Sequence, residues 1–338
     1  MSWIRRAVLF LLLFLFAVAI AAAGETTPVV RFSLPPVLES LPIAFAQEWG
    51  LFEAHGVSVE LIGITDNQQR SAALVTGNLD GMMDDVTHSI LDATMGSDIV
   101  ITSAARSRPQ TGSIALALLS PASYRLDSLE SVLASGYSIG TIYRSDHEYL
   151  LDRLLADRKT ANPATPKLLY FHDILQMAVW FGAQTLPAAV LPEPYITYLA
   201  TYYPVGGQTI DLVIHDDFSG VGVLPSVVLF RRAYVDAHAD LVAAFYAAYA
   251  EAIERINATP REDLIDLGID VVLPLFFQGA DKTTISQDVL DAIPIPVFDL
   301  PQPIAEAEFD AVLAWMLRKG YVYEAPAYAE ITDFRFIP

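Results

Sequence analysis

The apolar positions of this chain follow two alternating periods. Val57, Val59 and Leu61 alternate with polar residues, which predicts a strand, whereas Phe45, Trp49 and Phe52 recur at helical spacing. The same alternation of strand and helix continues to about residue 119. In this first part we predict strands at 29–33, 57–61, 80–84, 99–102 and 114–119, and helices at 40–52, 67–75 and 87–95.

The alternation of strand and helix is interrupted at residues 120–136 and then resumes, which predicts that the chain crosses there into a second lobe. There we predict strands at 137–141, 167–171 and 188–191, with helices at 146–157, 173–181 and 194–202. A strand near 224–230 is predicted to return the chain to the first lobe. Long amphipathic helices are predicted to follow at 239–256 and 304–318. This order predicts an α/β fold with mainly parallel sheets. One lobe comprises 28–119 with about 225–338, and the other about 120–224.

The N-terminal segment has the layout of a secretory signal peptide. Arg5 and Arg6 precede an apolar run over 7–20, and Ala21–Ala23 supplies the small residues of a cleavage site. We therefore predict a signal peptide over 1–23 and a mature protein in the periplasm. An uncleaved membrane anchor is the alternative, because the apolar stretch is at the lower limit of spanning length.

Charge and cysteine content exclude several functional classes. The formal net charge is −20, so the chain lacks the basic footprint that nucleic acid requires. The sequence contains no cysteine, which excludes disulfides, thiolate catalysis and cysteine-ligated metal sites. We expect no nucleic-acid partner.

Polar residues at helix starts form the recurring chemical feature. Ser145 and Glu148 have the spacing of a capping box, and Asp66 and Asp173 each precede a glutamine by three residues. Each group follows a predicted strand, so each lies at the sheet edge where α/β proteins bind ligands. Ordinary helix capping is the alternative for any one of them.

Catalytic motifs are absent from the sequence. The six histidines form no zinc-binding pattern, and neither a nucleophile elbow nor a Walker-type phosphate loop occurs. Asp84 and Asp85 are suited to a metal or an amine, or to a helix cap beside a solvated neighbour. Histidine and arginine side chains at predicted strand ends are either cleft residues or ordinary structural and surface groups; they are His88, His172, Arg106, Arg108 and Arg144.

Residues 41–61, LPIAFAQEWGLFEAHGVSVEL, resemble the opening of the solute-binding proteins of nitrate, sulfonate and taurine import systems. Binders of thiamine-pyrimidine precursors share this pattern. Two shorter signatures agree in order and spacing, namely ALVTGNLD at 73–80 and AVLPEP at 189–194. The resemblance spans roughly the first half of the chain.

The resemblance implies a type II periplasmic-binding-protein fold, in which two α/β lobes close on a solute and then dock on an ABC permease in the inner membrane. It implies a monomer that has no catalytic residues, cofactor or metal. The positions that we expect to bind solute are Ser33, Leu34, Ser40, Leu41, Asn67, Gln68, Asp84, Asp85, Thr87, His88, Arg106, Thr141, Arg144, His172, Asp173 and Glu193.

The solute itself stays open at this stage. Arginines and helix N–H groups suit a nitrate-, sulfonate- or taurine-like anion, which makes import of such a solute the leading hypothesis. Carboxylates beside Tyr143 or Trp180 suit a nitrogenous ring, such as a thiamine-pyrimidine precursor or a flavin. An enzyme on the same fold and a membrane-tethered sensory binding protein are further alternatives.

Overall fold

The computed structural model of the protein describes residues 28–157, 166–201, 209–277, 285, 287–324 and 326–338, the side chains of 265–270, 272 and 273 excepted. The predicted signal peptide lies outside these residues. Within them the strands form two five-stranded sheets and one two-stranded sheet.

The first sheet contains, in spatial order, Ser58–Leu61 (β2), Val29–Ser33 (β1), Gly81–Asp84 (β3), Ser226–Arg231 (β11) and Ile99–Ala105 (β4). β1 pairs in parallel with β2 and β3, whereas β11 is antiparallel to β3 and β4. Every residue of β3 and β4 is buried. β3 is the central strand of the sheet, whereas β4 is its last strand and also forms isolated bridges with Gln302 and Thr332.

The second sheet contains Lys167–Phe171 (β8), Ser138–Ile142 (β7), Ala188–Pro192 (β9), Leu116–Pro121 (β6) and Leu212–Asp216 (β10). β7 is parallel to β8 and β9, and β6 is antiparallel to β9 and β10. Both sheets therefore have the same strand arrangement. In each, the antiparallel strand is the one that the chain forms on arriving from the other sheet. The small third sheet pairs Ser107–Arg108 (β5) with Val297–Phe298 (β12).

Helices cover the sheets. They are Leu41–Glu48 (α1), Leu51–Ala54 (α2), Asn67–Val75 (α3), Val86–Thr94 (α4), Leu129–Ser135 (α5), Asp146–Asp157 (α6), Ile174–Gly182 (α7), Tyr195–Thr201 (α8), Arg232–Ala237 (α9), Ala239–Ala258 (α10), Arg261–Phe276 (α11), Gln287–Ala292 (α12) and Glu306–Lys319 (α13). Short 3₁₀ helices occupy Leu38–Ser40, Ala122–Tyr124 and Tyr328–Glu330.

The alternation of strand and helix is confirmed, but two of the predicted elements differ. The helix predicted over 40–52 is divided at Gly50, whose φ of +66° is incompatible with a continuous helix. The strand predicted at 114–119 forms as β6 but lies in the second sheet, so the chain crosses over before Leu116 and not within 120–136. All six residues of β6 are buried, and such a continuous buried run does not distinguish one central sheet position from another.

The C-terminal segment contacts both lobes. α13 packs on α4 of the first lobe, and its Trp315 Nε1 donates to Asp152 of α6 in the second lobe at 2.9 Å. α11 packs on α1, while the Phe276 carbonyl at its end accepts from the hydroxyl of Tyr195. The assignment of everything after residue 225 to one lobe therefore stays a prediction.

Candidate functional site

The carboxyl ends of the parallel strands of both sheets face each other, and the two lobes are in contact along this edge. Thr65 Oγ1 donates to Asp173 Oδ2 at 2.6 Å, and Asn67 N donates to the His172 carbonyl at 3.1 Å. These bonds join the loop after β2 to the loop after β8. The structure therefore has a closed cleft between its lobes.

The cleft encloses about 50 Å³. Segments that follow β1, β2 and β3 line it from the first lobe, and segments that follow β7 and β8 line it from the second. The lining residues are Pro35, Val37, Asn67, Arg70, Asp84, Asp85, Ile142, Ser145, Asp146, His147, Ile174 and Ser226. This volume holds a small polar group or a few water molecules.

Arg70 is the central cation of the cleft, although its side chain is only 1% exposed. Its Nη2 donates to Asn67 Oδ1 at 3.0 Å and to Asp84 Oδ1 at 3.2 Å. Within the described residues, Arg70 Nε, Arg70 Nη1 and Asp84 Oδ2 are buried without a hydrogen-bond partner. Burial raises the pKa of Asp84 even though Arg70 opposes this shift. Two nitrogens of Arg70, which carry three N–H groups, therefore have no acceptor among the described residues.

The second lobe contributes further groups with unused hydrogen-bonding capacity. Thr141 Oγ1 and His147 Nδ1 are buried and have no partner in the described part of the chain. Burial lowers the pKa of His147 to about 4, so the imidazole is neutral at pH 7. Burial and then the charge of Asp85 across the cleft raise the pKa of Asp146 well above its ordinary value. Both lobes therefore present polar atoms that nothing in the described chain satisfies.

Asp85 and His88 form a compact, paired unit at the start of α4. Asp85 Oδ1 accepts from the backbone N–H of His88 at 2.7 Å, Asp85 Oδ2 lies 2.8 Å from His88 Nδ1, and the Thr87 hydroxyl also donates to Asp85. Burial disfavours the charge on His88, but Asp85 outweighs it and raises the pKa of His88 to about 10. Burial likewise opposes ionisation of Asp85, yet His88 lowers its pKa to about 2.

The same unit has the spacing of a cation site. Ligand atoms of Asp84, Asp85 and His88 lie within 4.8 Å of one another. However, the Arg70 guanidinium contacts Asp84, and protonated His88 already balances Asp85. The observed contacts favour an internally compensated charge cluster over a metal centre.

A larger pocket of about 430 Å³ adjoins the cleft and shares Asn67 with it. We call it the outer groove. It lies between α3 and α4 and is bordered by the second lobe; its lining residues are Asn67, Gln68, Ser71, Ala72, Val75, Thr76, His88, Leu91, Asp92, Met95, Tyr143, Arg144 and His172. The Arg144 guanidinium lies 4.8 Å from the ring centre of Tyr143 and 4.9 Å from that of Tyr321.

The structure brings seven of the sixteen predicted site residues to these two pockets, namely Asn67, Gln68, Asp84, Asp85, His88, Arg144 and His172. Thr87 lines neither pocket but donates to Asp85. Two further predicted site residues are adjacent to the pockets. Thr141 precedes the lining residue Ile142, and Asp173 caps α7 and accepts from the Thr65 hydroxyl.

Other predicted site residues have structural roles. Arg106 forms an ion pair with Glu308, and Glu193 accepts from the backbone N–H and hydroxyl of Thr197 at the start of α8. Glu193 borders a separate small depression, and Leu34 borders another depression beside α1. Ser33 and Ser40 donate to the carbonyls of Ile62 and Pro35, and Leu41 is in the core. The polar groups of Ser33, Ser40, Arg106 and Glu193 are therefore satisfied within the chain and away from the cleft.

Sequence reasoning missed Arg70, Asp146 and His147. Arg70 follows Asn67 by three residues, so helical spacing from a predicted ligand residue could have found it.

The Asp66 and Asp173 caps are confirmed, since they accept from Gln69 N and Gln176 N. The capping box at Ser145 is wrong. Its hydroxyl donates to the Ile142 carbonyl, and Glu148 accepts from Arg144 N instead, where the backbone has a φ of +54°.

Comparison with solved structures identifies the fold. The chain has the type II periplasmic-binding-protein fold. The alkanesulfonate-binding protein SsuA from Xanthomonas axonopodis pv. citri, bound to MOPS, matches with a TM-score of 0.69 at 17% identity, over 92% of this chain and 100% of that one. The nitrate-binding protein NrtA from Synechocystis PCC 6803 matches with a TM-score of 0.65 at 14% identity, over 91% and 84%.

A third similar structure is the Candida albicans CA3427 gene product, described as having the generic periplasmic-binding-protein fold. Its TM-score is 0.58 at 13% identity, over 90% of this chain and 96% of that one. No family model matches the sequence, and no curated protein does. None of the helices in the described ranges is both long enough and apolar enough to cross a membrane.

Proposed function

We propose that this protein is the solute-binding component of an ABC import system, and that it captures a small nitrate-, sulfonate- or taurine-like solute in the periplasm. One observation carries the proposal. Residues that line the closed cleft from both lobes carry buried polar atoms without partners in the described chain, namely Arg70 Nε and Nη1 and Asp84 Oδ2 in the first lobe and His147 Nδ1 in the second. Export by cleavage after residue 23, a monomeric state and delivery to an inner-membrane permease belong to the same proposal.

The physical argument concerns the cost of leaving these atoms unsatisfied. A buried polar group without a partner costs about 1–3 kcal/mol, and more if it is charged. An oxyanion in the cleft can accept from the Arg70 guanidinium and, on the other lobe, from His147 in the tautomer that carries its proton on Nδ1. A solute held by both lobes stabilises their closed arrangement, which is the form a permease must recognise.

A nitrogenous ring is the second candidate, and one observation favours it. Asp84 Oδ2 is a buried acceptor without a partner in the described chain, so it suits an N–H donor on the solute. Asp146 adds a carboxyl from the second lobe to the lining of the cleft. A thiamine-pyrimidine precursor or a flavin would donate a ring N–H or amino group to Asp84.

A binding role without catalysis fits the titration behaviour of the cleft. His88 has a pKa of about 10 and His147 a pKa of about 4, so neither changes its charge near pH 7. A general base is most effective when its pKa is near the working pH. These two histidines are therefore poorly suited to proton transfer.

The test is a thermal-shift screen of the mature protein with nitrate, sulfonates, taurine, pyrimidines and flavins, followed by calorimetry. A true solute at 100 times its Kd stabilises the protein by about 2.7 kcal/mol. Arg70→Gln should weaken binding of an oxyanion by about 10- to 150-fold. Arg106→Gln, whose ion pair with Glu308 lies outside the cleft, is the matched control.

Three results would decide between the candidates. Binding of an anion that depends on Arg70 supports the leading proposal, whereas binding of a pyrimidine or flavin that depends on Asp84 supports the second. No stabilisation by any compound would contradict both. Mass spectrometry of periplasmic protein tests export, since an intact Met1 would exclude cleavage after Ala23.

A further inference from the structure

We propose that the C-terminal helix α13 moves with the first lobe, and that its end forms a clasp on the second lobe which holds the lobes closed before solute binds. The clasp comprises Trp315, Lys319 and Tyr321. This inference goes beyond the proposed function, because it concerns what keeps the two lobes together and not which solute they take.

Backbone hydrogen bonds attach the chain on both sides of α13 to the first lobe. Before the helix, Ala104 N of β4 donates to the Gln302 carbonyl at 2.7 Å. After the helix, Ile101 N of β4 donates to the Ile331 carbonyl at 2.8 Å, and Asp333 N donates to the Ile101 carbonyl at 2.9 Å. The helix between these segments packs on α4. Because backbone pairing with β4 flanks α13 at both ends, the helix moves with the first lobe.

The contacts of α13 with the second lobe are made by side chains. Lys319 Nζ lies 3.0 Å from Glu148 Oε1 and 3.0 Å from Asp152 Oδ2. Trp315 Nε1 donates to Asp152 Oδ2 at 2.9 Å, and the Tyr321 hydroxyl donates to Glu148. In the described part of the chain no backbone hydrogen bond joins α13 to the second lobe. Water replaces such side-chain partners when two surfaces separate, so these contacts are reversible.

The clasp lies beside the outer groove, where the two lobes meet. The Arg144 guanidinium lines this groove and lies 4.9 Å from the ring centre of Tyr321. Tyr143 also lines it, and its ring centre is 6.0 Å from that of Tyr321. The first-lobe wall of the groove includes α4, the helix on which α13 packs. A motion that opens the groove therefore also draws the second lobe away from the clasp.

Charge makes the clasp favour the closed arrangement. Glu148 and Asp152 are one turn apart on α6, and like charges at this spacing repel. Lys319 is the cation that contacts both. Burial disfavours the charge on Lys319, but its bonds to Glu148 and Asp152 outweigh burial and raise its pKa. Glu148 is fully buried in the closed structure, so closing without Lys319 would leave its charge less well compensated.

A clasp of this kind gives the protein a closed population in the absence of solute. A solute that prefers the closed form binds with an apparent affinity that scales with this population. Lys319 lines neither the cleft nor the outer groove. It is therefore a positioning residue, which acts on binding through closure and without touching solute.

The experiment measures the distance between two nitroxide labels on the mature, solute-free protein by pulsed electron paramagnetic resonance. The chain contains no cysteine, so Gln69→Cys and Gln176→Cys place one label on each lobe. Both side chains are exposed and lie in the first turns of α3 and α7, next to the Thr65–Asp173 contact between the lobes. The labelled protein should show a short distance from closed molecules. Lys319→Met should lower the ratio of closed to open molecules about fivefold.

Matched variants separate the clasp from a general effect of charge. Arg318→Met removes an exposed cation from the same helical turn, which has no ion pair with a described carboxylate, and should leave the ratio unchanged. Lys319→Arg keeps the cation and should preserve most of the closed population. Asp152→Asn tests the same contact from the second lobe. It should also lower the ratio, and its effect should be less than additive with that of Lys319→Met. If Lys319→Met fails to fold, Asp152→Asn decides.

The failures of the clasp and of the proposed function are distinguishable. The clasp proposal is wrong if the solute-free protein shows no short distance, or if Lys319→Met and Arg318→Met give the same distance distribution. Either result leaves the proposed function standing, because the solute screen does not depend on the clasp. If no compound binds but Lys319→Met opens the lobes, the proposed function fails and the clasp stands.

Discussion

Two clusters of buried charge lie near the contact between the lobes, and they differ in how completely they are paired. In the first, the fully buried Glu148 accepts from Arg144 N at 3.0 Å, Tyr170 at 2.9 Å, Tyr321 and Lys319 Nζ at 3.0 Å. Both carboxylate oxygens of Glu148 therefore accept hydrogen bonds. In the second, Arg70 makes its bonds through Nη2 alone, and two of its nitrogens have no described partner.

We propose that this difference separates a structural cluster from a cluster that binds solute. The Glu148 cluster ties the C-terminal segment to α6, and nothing further can be gained from a ligand there. The Arg70 cluster contains buried donors and acceptors without hydrogen bonds to the described chain. This lowers the stability of the folded protein unless a ligand or water supplies those hydrogen bonds. The two clusters should therefore respond in opposite ways to mutation.

The largest effect is expected from Glu148→Ala. This change leaves two tyrosine hydroxyls and Lys319 without their shared acceptor, and removing one partner from a buried charge network costs about 3–5 kcal/mol. Because Lys319 is partly exposed, we expect about 3 kcal/mol, measured by urea unfolding. Glu254→Ala, at an exposed position of α10, should cost less than about 0.5 kcal/mol. A loss below about 1 kcal/mol for Glu148→Ala would contradict the structural role.

Glu193 tests what happens when a buried carboxylate has hydrogen bonds but no cation. Burial raises its pKa to about 7, although its bonds from Thr197 oppose the shift. A raised carboxylate pKa means that the folded state holds the proton more tightly than the unfolded state, so stability falls as pH rises from about 4.5 through 7.

Glu193→Gln should remove this pH dependence. At about 1.4 kcal/mol per pKa unit, the variant should gain on the order of 2–3 kcal/mol relative to wild type between pH 4.5 and pH 8. Unfolding curves of both proteins at the two pH values measure the difference. An equal difference at both pH values would show that Glu193 ionises normally.

The paired change Arg70→Met with Asp84→Asn sharpens the contrast with Glu148. Replacing a buried ion pair by neutral groups of similar size is often neutral or stabilising. We expect the solute-free double variant to lie between no change and a gain of about 2 kcal/mol, while solute binding is lost. A clear loss of stability would mean that the Arg70 cluster is structural, like the Glu148 cluster.

The smallest effect is expected from Tyr321→Phe. It removes one hydrogen bond to Glu148 but keeps the ring beside Arg144, so it should cost about 1 kcal/mol in thermal or urea unfolding. Tyr323→Phe, at a side chain that is 87% exposed, is the control and should have no effect. Equal stability of the two variants would indicate that Arg144 N, Tyr170 and Lys319 satisfy Glu148 without the Tyr321 hydroxyl.

The sequence predicted several elements with both boundaries correct. α3 and α6 begin and end where the pattern placed them, and the Asp66 and Asp173 caps form as predicted. The strand β10 and the helices α5 and α11 were not predicted. β10 is only partly buried, and α11 contains Pro274, so neither has a clear periodic pattern.

The candidate site was predicted less completely because strand ends alone do not say which side chains face the cleft. Asp84, Asp85 and His88 were found since they directly follow β3. Arg106 occupies an equivalent sequence position, yet it pairs with Glu308, which is distant in sequence. Partners that far along the chain do not appear in any local pattern.

The sequence by itself determined the alternation of strands and helices, and with it the α/β class, because apolar period and helix caps are local properties of the chain. Only the tertiary structure decided that Arg70 is buried at the cleft and that both oxygens of Glu148 have hydrogen-bond donors. Within a polar helix such as α3, an arginine is normally solvated. Its burial depends on Asn67, Asp84 and the second lobe together, which only the closing of two separate sheets brings to one place.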